Sequence, residues 1–173
     1  MSSIRNFDLV SCLLVLTLML IGLVNIYSVT YFENMDFFSI GNFFGKQFFF
    51  FFICIIIFFI SLITDIKFYF KYASIIYLLM IIILVAVLVF GNEVNGSKSW
   101  FSLGGFSFQP SEFMKPVTAL ALAKYLSNIH SDIKRRSIQF YSFLIISIPL
   151  ILIIMQPDPG TALIFLSFYL VLH

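Results

Sequence analysis

The stretch LVSCLLVLTLMLIGLVNIYSVT, from Leu9 to Thr30, carries no charged side chain. At about 1.5 Å per residue, a helix of this length crosses a hydrocarbon core of about 30 Å. The stretch is longer than the apolar core of a signal peptide and lacks a small-residue cleavage site, so we expect it to be retained. It therefore predicts an all-α membrane protein.

The composition of the whole chain extends that prediction. Of 173 residues, 61% are hydrophobic and only 10% are charged, whereas soluble domains carry roughly one quarter charged residues. The net charge of +2 is too small to indicate a nucleic-acid partner. Cys12 and Cys54 lie in apolar runs without the spacing of a metal or redox motif. We predict one polytopic bundle of transmembrane helices over residues 1–173.

Further apolar runs give the remaining spans. We predict five full spans and an incomplete sixth, at residues 9–30, 47–64, 73–90, 111–127, 139–155 and 160–173. A loop at 91–110 separates the third span from the fourth. Within the last run, residues 161–172 would form a helix of only about 18 Å, which is short of the bilayer thickness. We expect either that the product is truncated or that this chain is part of a larger protein.

Basic residues predict the orientation, because short positively charged loops stay in the cytoplasm. The alternate loops that carry them contain Arg5, Lys67, Lys71, Lys134, Arg135 and Arg136. Glu33 and Asp36 lie in the first loop on the other side, and Glu93 with Lys98 lies in the next. We therefore expect a cytoplasmic N-terminus, with the loop at 91–110 and the QPDPG turn at 156–160 on the outer face.

The outer loop leads into the fourth span through NGSKSWFSLGGFSFQPSEFMK, from Asn95 to Lys115. Its Asn-Gly and Gly-Gly pairs predict a hairpin-like or re-entrant segment. Trp100 is most simply an aromatic anchor at the membrane interface. After Pro110, we expect Ser111 to cap the next helix.

Glu112 and Lys115 are three residues apart, so they lie on one helical face. Two explanations stay open for this pair. The two charges neutralise each other, or they line a polar cavity in which Lys115 binds an anionic group and Glu112 accepts a hydrogen bond. Pro116 favours an open helix start, because its missing N–H frees the carbonyl of Glu112.

A second polar segment, QPDPGTA, runs from Gln156 to Ala162. Asp158 suits the N-cap of a helix that has Pro159 at its first position. Because both polar segments are expected on the outer face, they indicate an extracytoplasmic cavity for an amphiphilic or anionic ligand. His130 and His173 have no ligand partners at usable spacing, so no metal site is predicted.

The order of these motifs carries a family resemblance. GLVNIYS, NGSKSWFSLGGFSFQPSEFMK, ALAKYLS, a basic loop and MQPDPGTALIF follow one another along the chain. This order resembles the SEDS family of shape, elongation, division and sporulation proteins, with IYSVT closest to its RodA-like branch. The resemblance implies a multi-pass enzyme of the bacterial cytoplasmic membrane that polymerises glycan strands from lipid II on the outer face. It also implies a class B penicillin-binding protein as partner.

The resemblance further implies roles for particular residues. The expected substrate cavity comprises Glu112, Lys115, Gln109, Lys98 and Trp100, and its expected structural support comprises Asp158, Gln156, Pro110 and Gly160. The family's catalytic aspartate lies in a later outer loop, so we expect no catalytic residue within this chain and the aspartate beyond His173. Lys98 stands where the family usually has arginine, and an ammonium lacks the bidentate geometry of a guanidinium. No cofactor is identified, and a divalent cation that helps the pyrophosphate leave is the one candidate.

Three functions fit these expectations. The first is polymerisation of peptidoglycan glycan strands in cell elongation and shape, or in division. A transporter for a lipid-linked precursor fits a polar cavity equally well. A non-catalytic fragment that docks a class B penicillin-binding protein is the third. In each case membrane lipids are the surrounding partners.

Overall fold

The computed structural model describes residues 8–30, 43–94, 96–103, 106–127 and 136–172. The chain divides into two compact units, Met1–Asp65 and Ile66–His173. Some residues used in the sequence predictions lie outside the described residues: Arg5, Glu33, Asp36, Asn95, Gly104, Gly105, His130, Lys134, Arg135 and His173.

The first unit contains two long apolar helices, α1 (Leu9–Thr30) and α2 (Phe43–Ile63). Asp8 caps α1, since its Oδ1 accepts the backbone N–H groups of Val10 at 3.0 Å and Ser11 at 3.2 Å. The rings of Tyr27 and Phe44 connect the two helices, with centroids 5.4 Å apart. Little side-chain surface is buried in either helix.

The second unit contains α3 (Ile66–Phe90), α4 (Pro110–Ser127), α5 (Arg136–Met155) and α6 (Pro159–Leu172). Gly91 ends α3, and a Cβ at this position would lie 2.3 Å from the carbonyl oxygen of Val87. The helices meet in one buried apolar cluster: Met80, Leu84, Met114, Leu150, Ile153, Ala162 and Phe165. This cluster fixes α4 and α6 beside α3, and it thereby positions both polar segments.

Among the described residues, four helices are long and apolar enough to cross a membrane: α1, α2, α3 and α5. The 18-residue helix α4 carries Glu112, Lys115 and Lys124, and α6 is shorter, with 14 residues. The prediction of an all-α bundle of transmembrane helices is confirmed, and the number of full spans stays a prediction.

The loop between α3 and α4 folds as a small sheet. Its strands β1 (Asn92–Val94), β2 (Ser97–Leu103) and β3 (Phe106–Phe108) pair antiparallel in the order β1-β2-β3. Gly96, with φ of +82°, supplies the turn between the first two strands. The sequence predicted a hairpin-like or re-entrant segment here, and strand pairing gives that segment its backbone hydrogen bonds.

Candidate functional site

The QPDPG turn and the sheet touch through one carbonyl group. The backbone oxygen of Gln156 accepts the Lys98 N–H at 3.2 Å and the Ser97 hydroxyl at 2.8 Å. Ser97 lies 2.8 Å from the hydroxyl of Ser99, which is buried. Two segments that are far apart in sequence therefore form one structural region at the end of α3.

The side chain of Gln156 is fully buried beneath this junction. Its Nε2 donates to the backbone oxygen of Leu84 at 3.3 Å, whereas Oε1 has no hydrogen-bond partner within the described part of the chain. A buried amide oxygen without a partner costs about 1–3 kcal/mol. This unused acceptor is an unusual feature of the region, because native buried polar groups are normally paired.

Asp158 connects the turn to two other segments. Its Oδ1 accepts the N–H of Thr161 at 3.1 Å, and α6 begins at the next residue, Pro159. Its Oδ2 accepts a hydrogen bond from Gln109 Nε2 at 2.8 Å. The predicted N-cap position of Asp158 is thus confirmed, and its predicted support of a cavity stays a prediction. Gly160 lies in the first turn, where a Cβ would meet only Asp158 Oδ1 at an ordinary 3.8 Å.

The start of α4 differs from the sequence prediction in one respect. Pro110 is the first residue of α4 and is fully buried, so Ser111 already lies inside the helix. The N–H of Glu112 bonds to the backbone oxygen of Gln109 at 3.2 Å. The buried Ser111 hydroxyl has no partner among the described residues. The prediction that Ser111 caps α4 was therefore wrong, because the helix begins before it.

Glu112 and Lys115 form an ion pair one turn beyond Gln109. Lys115 Nζ lies 2.6 Å from Glu112 Oε2. The Lys115 side chain is 21% exposed, and the Glu112 side chain is 50% exposed. An exposed pair at this spacing contributes under about 1 kcal/mol to stability. The stability of the fold therefore gives little reason for two ionisable groups at this place. Pro116, which follows the pair, interrupts the hydrogen-bond ladder of α4.

Lys98 and Trp100 lie on β2. Lys98 Nζ donates to the backbone oxygen of Val89 at 3.0 Å, so the ammonium satisfies a carbonyl in the last turn of α3 and complements its dipole. One of the three N–H donors is used in this way. Trp100 is half-buried and pairs with Asn92 across the sheet.

The predicted site residues thus fall at one end of the second unit. Gln109 and Asp158 are in direct contact, Lys98 and Gln156 meet through their backbones, and Glu112 pairs with Lys115. The sequence prediction missed Ser97, since a serine in a strand gives no pattern that would reveal its distant carbonyl partner. In the part of the chain that the structure describes, no group of three or more His, Cys, Asp and Glu residues could hold a metal ion.

Comparison with known sequences gives a family match. The model of the FtsW, RodA and SpoVE family, described as cell cycle protein, matches residues 8–173. A probable peptidoglycan glycosyltransferase FtsW from Thiomicrospira cyclica is 32% identical over 163 residues, which are 93% of this chain and 42% of the relative. The peptidoglycan glycosyltransferase RodA of Treponema pallidum is 31% identical over 170 residues, or 98% of this chain and 38% of the relative.

Solved structures give a matching fold. The rod shape determining protein RodA of Thermus thermophilus aligns with a TM-score of 0.77 and 28% identity, over 93% of this chain and 50% of that chain. A chain from a study of polymerization and crosslinking by a peptidoglycan synthase complex aligns with a TM-score of 0.78 and 28% identity, over 93% of this chain and 45% of that chain. The chain spans about half the length of these structures and less of the two curated relatives.

Proposed function

Since the chain belongs to the family of cell cycle proteins that includes FtsW, RodA and SpoVE, we propose that it forms part of a peptidoglycan glycosyltransferase. The chain is a multi-pass protein of the bacterial inner membrane. The proposed reaction joins the sugar units of lipid II into glycan strands at the outer face of that membrane. Relatives named FtsW and RodA have nearly equal identity to it, at 32% and 31%, so the elongation branch stays a prediction.

One observation carries the proposal from the family to particular residues. The hydrogen bond of 2.8 Å between Gln109 and Asp158 joins the segment before α4 to the turn before α6. The bond thus anchors the residue that precedes α4, and the Glu112–Lys115 pair lies in the first two turns of that helix. A cation that is partly exposed at a membrane-protein surface suits a phosphate-bearing amphiphile, and lipid II carries a pyrophosphate.

The proposed chemistry follows from the donors of Lys115. Its ammonium has three N–H groups, and Glu112 accepts one of them at 2.6 Å. We propose that the others bind the pyrophosphate of lipid II and stabilise the negative charge that grows as the sugar–phosphate bond breaks. Glu112 orients the ammonium. The general base for the attacking sugar hydroxyl is proposed to be an aspartate beyond His173.

The test is polymerisation of lipid II by the purified full-length protein together with its partner enzyme. Lys115→Ala is expected to slow strand synthesis about 100-fold, as loss of a charge-stabilising donor does in other enzymes. Lys115→Arg keeps the charge and is expected to retain part of the activity, because the fork geometry differs. Lys71→Gln is the matched control, since it removes a lysine charge near the other end of α3.

Strand synthesis by Lys115→Ala at the wild-type rate would show that Lys115 has no part in the reaction. A transporter would behave differently: in reconstituted vesicles, labelled lipid II would cross the bilayer without forming polymer. Addition of a chelator to the polymerisation assay tests the divalent cation, since an assisting cation would make the rate fall and then recover with added Mg²⁺.

The proposed partner is a class B penicillin-binding protein, which would cross-link the strands. The fold similarity to a chain of a peptidoglycan synthase complex supports an assembly of this kind. Co-purification of the partner with wild-type protein and with Lys115→Ala separates docking from catalysis. If the protein serves only to dock the partner, Lys115→Ala will capture the partner as well as the wild type does and will support strand synthesis at the wild-type rate.

A further inference from the structure

A cavity of about 250 Å³ lies in the second unit toward the beginning of α3, away from the sheet that follows its end. It is bounded by α3, α4 and α5, and six residues line it: Ser74, Tyr77, Ala121, Lys124, Tyr125 and Ile145. No role in the proposed polymerase site falls on any of them. The volume is just below the range of about 300–1,000 Å³ that is typical of small-molecule pockets.

Lys124 supplies the positive charge of this cavity. Its Nζ donates to the Ser74 hydroxyl at 3.1 Å and to the backbone oxygen of Lys71 at 3.3 Å. These contacts fix the ammonium between α4 and α3 and leave one of its three N–H donors for a ligand. Since the neighbouring groups are neutral acceptors, the charge of Lys124 is not cancelled within the cavity.

The rest of the lining is mainly apolar, and two of its tyrosines contact residues of α5. The Tyr77 hydroxyl donates to the backbone oxygen of Ile145 at 2.9 Å, which joins α3 to α5 across one wall. The Tyr125 ring packs near that of Tyr141, with centroids 6.3 Å apart. Ala121 presents only a methyl group. The cavity thus combines one cation with aromatic and aliphatic walls.

The cavity lies between about two and three helical turns from the beginning of α3. Ser74 lies about 12 Å along α3 from Ile66, and Tyr77 lies nearly one turn deeper. Among the described residues of the second unit, this end contains the basic side chains of Lys67 and Lys71 in the first turns of α3, Lys124 in the last turn of α4 and Arg136 at the start of α5. Such an end faces the cytoplasmic leaflet, where anionic lipids concentrate.

We propose that this cavity binds the headgroup of an anionic phospholipid from the cytoplasmic leaflet. Lys124 contacts the phosphate, and the walls formed by Ala121 and Ile145 contact the glycerol and the first acyl carbons. The cavity is too small for a whole lipid, so the acyl chains run along the outside of the helices. A bound lipid of this kind bridges α3, α4 and α5 at the end opposite the proposed polymerase site.

The test uses the purified protein in neutral detergent, where no anionic bilayer surface attracts every lysine alike. Native mass spectrometry measures binding of phosphatidylglycerol and of phosphatidylcholine with the same acyl chains. Wild-type protein is expected to bind phosphatidylglycerol about fivefold more tightly than phosphatidylcholine. This is the gain in affinity expected from one lysine near an anionic headgroup. Lys124→Gln is expected to remove this preference, and Lys124→Arg to restore it.

Two further variants separate the cavity from surface charge. Ala121→Phe fills the cavity without altering any charge and is expected to weaken phosphatidylglycerol binding at least as much as Lys124→Gln. Lys71→Gln removes a neighbouring positive charge, and the Lys71 side chain does not line the cavity. This variant is expected to keep the preference for phosphatidylglycerol over phosphatidylcholine.

Three results would overturn the proposal. Lys71→Gln could weaken binding as much as Lys124→Gln, which would show general surface attraction. Ala121→Phe could bind phosphatidylglycerol like the wild type, which would show that the cavity is unused. Millimolar inorganic phosphate could displace the lipid, which would show a site for free anions instead of a lipid headgroup.

Discussion

The two units of this chain are both made of apolar helices, yet they pack very differently. Helix α1 buries only Leu23 and α2 buries only Gly45, whereas the second unit contains a cluster with fully buried Leu84, Met114 and Phe165. Lipid tails are as apolar as leucine, so apolar side chains gain little by leaving lipid for another helix. The hydropathy of a helix therefore favours its insertion into the membrane but does not determine how the helix packs against its neighbours.

Polar contacts mark the same difference. In the first unit, the hydroxyls of Thr17 and Ser61 donate to carbonyls of their own helices. In the second unit, Tyr77 donates to the backbone of α5, and Gln156 donates to that of α3. Interhelical hydrogen bonds are among the forces that associate helices in membranes. The second unit is thus the part of the chain in which sequence changes are expected to alter the structure.

The largest expected effect comes from the buried core. Phe165→Ala is expected to lower the free energy of unfolding by about 3–5 kcal/mol, because a fully buried phenyl ring leaves a cavity. Phe59→Ala in α2 is the matched control, since that ring is 58% exposed, and its effect is expected to be slight. Denaturant titration in detergent micelles measures both. Equal losses of unfolding free energy in the two variants would contradict the proposed difference in packing between the two units.

A smaller effect is expected at the junction of the polar segments. Asp158→Ala removes the N-cap of α6 and leaves the Gln109 amide without its acceptor, so a loss of about 2 kcal/mol is expected. Asp158→Asn keeps a capping oxygen and is expected to lose less. The corresponding change in the first unit, Asp8→Ala, removes only a local cap. Thermal unfolding of all three variants would contradict this ranking if Asp8→Ala proved the most destabilised.

A still smaller effect is expected for a single interhelical hydrogen bond. Tyr77→Phe removes the hydroxyl that donates to Ile145, and bonds of this type average about 0.6 kcal/mol in membrane proteins. Tyr141→Phe changes a tyrosine that is 55% exposed and serves as the control. The same micelle titration applies, and a larger loss for Tyr141→Phe would argue against the bond between α3 and α5.

The smallest effect is a local pH dependence in the first unit. The hydrogen bond from the Ser11 side chain holds the pKa of Asp8 below its ordinary value of 3.8. The ionised carboxylate is therefore a better cap than the protonated one, so its full stabilisation is present above pH 3.8 and is lost as the pH falls through the folded-state pKa. Amide hydrogen exchange at Val10 and Ser11 should accelerate, relative to the intrinsic rates, only in that acidic range. Asp8→Asn should show no such acceleration.

Local signals in the sequence were sufficient for several features of this chain. The uncharged run from Leu9 to Thr30 matches α1, and the Asp158-Pro159 pair marks the start of α6 through a cap that involves only neighbouring residues. The start of α4 was missed by one residue, although the preference of proline for the first helical position favours Pro110 there, as it favours Pro159 in α6. Glu112 and Lys115 were expected to meet because helix geometry alone brings them together.

The sequence by itself thus determined the membrane class, the family and the contacts that span a few residues, since these follow from hydropathy, motif order and helical repeat. Only the tertiary structure decided that Gln109 meets Asp158, that Lys98 caps α3 and that Gln156 is buried with an unused acceptor. These contacts join residues whose separation in sequence has no fixed relation to their separation in space. Their formation depends on the packing of α3, α4 and α6 around a shared core, which no local pattern specifies.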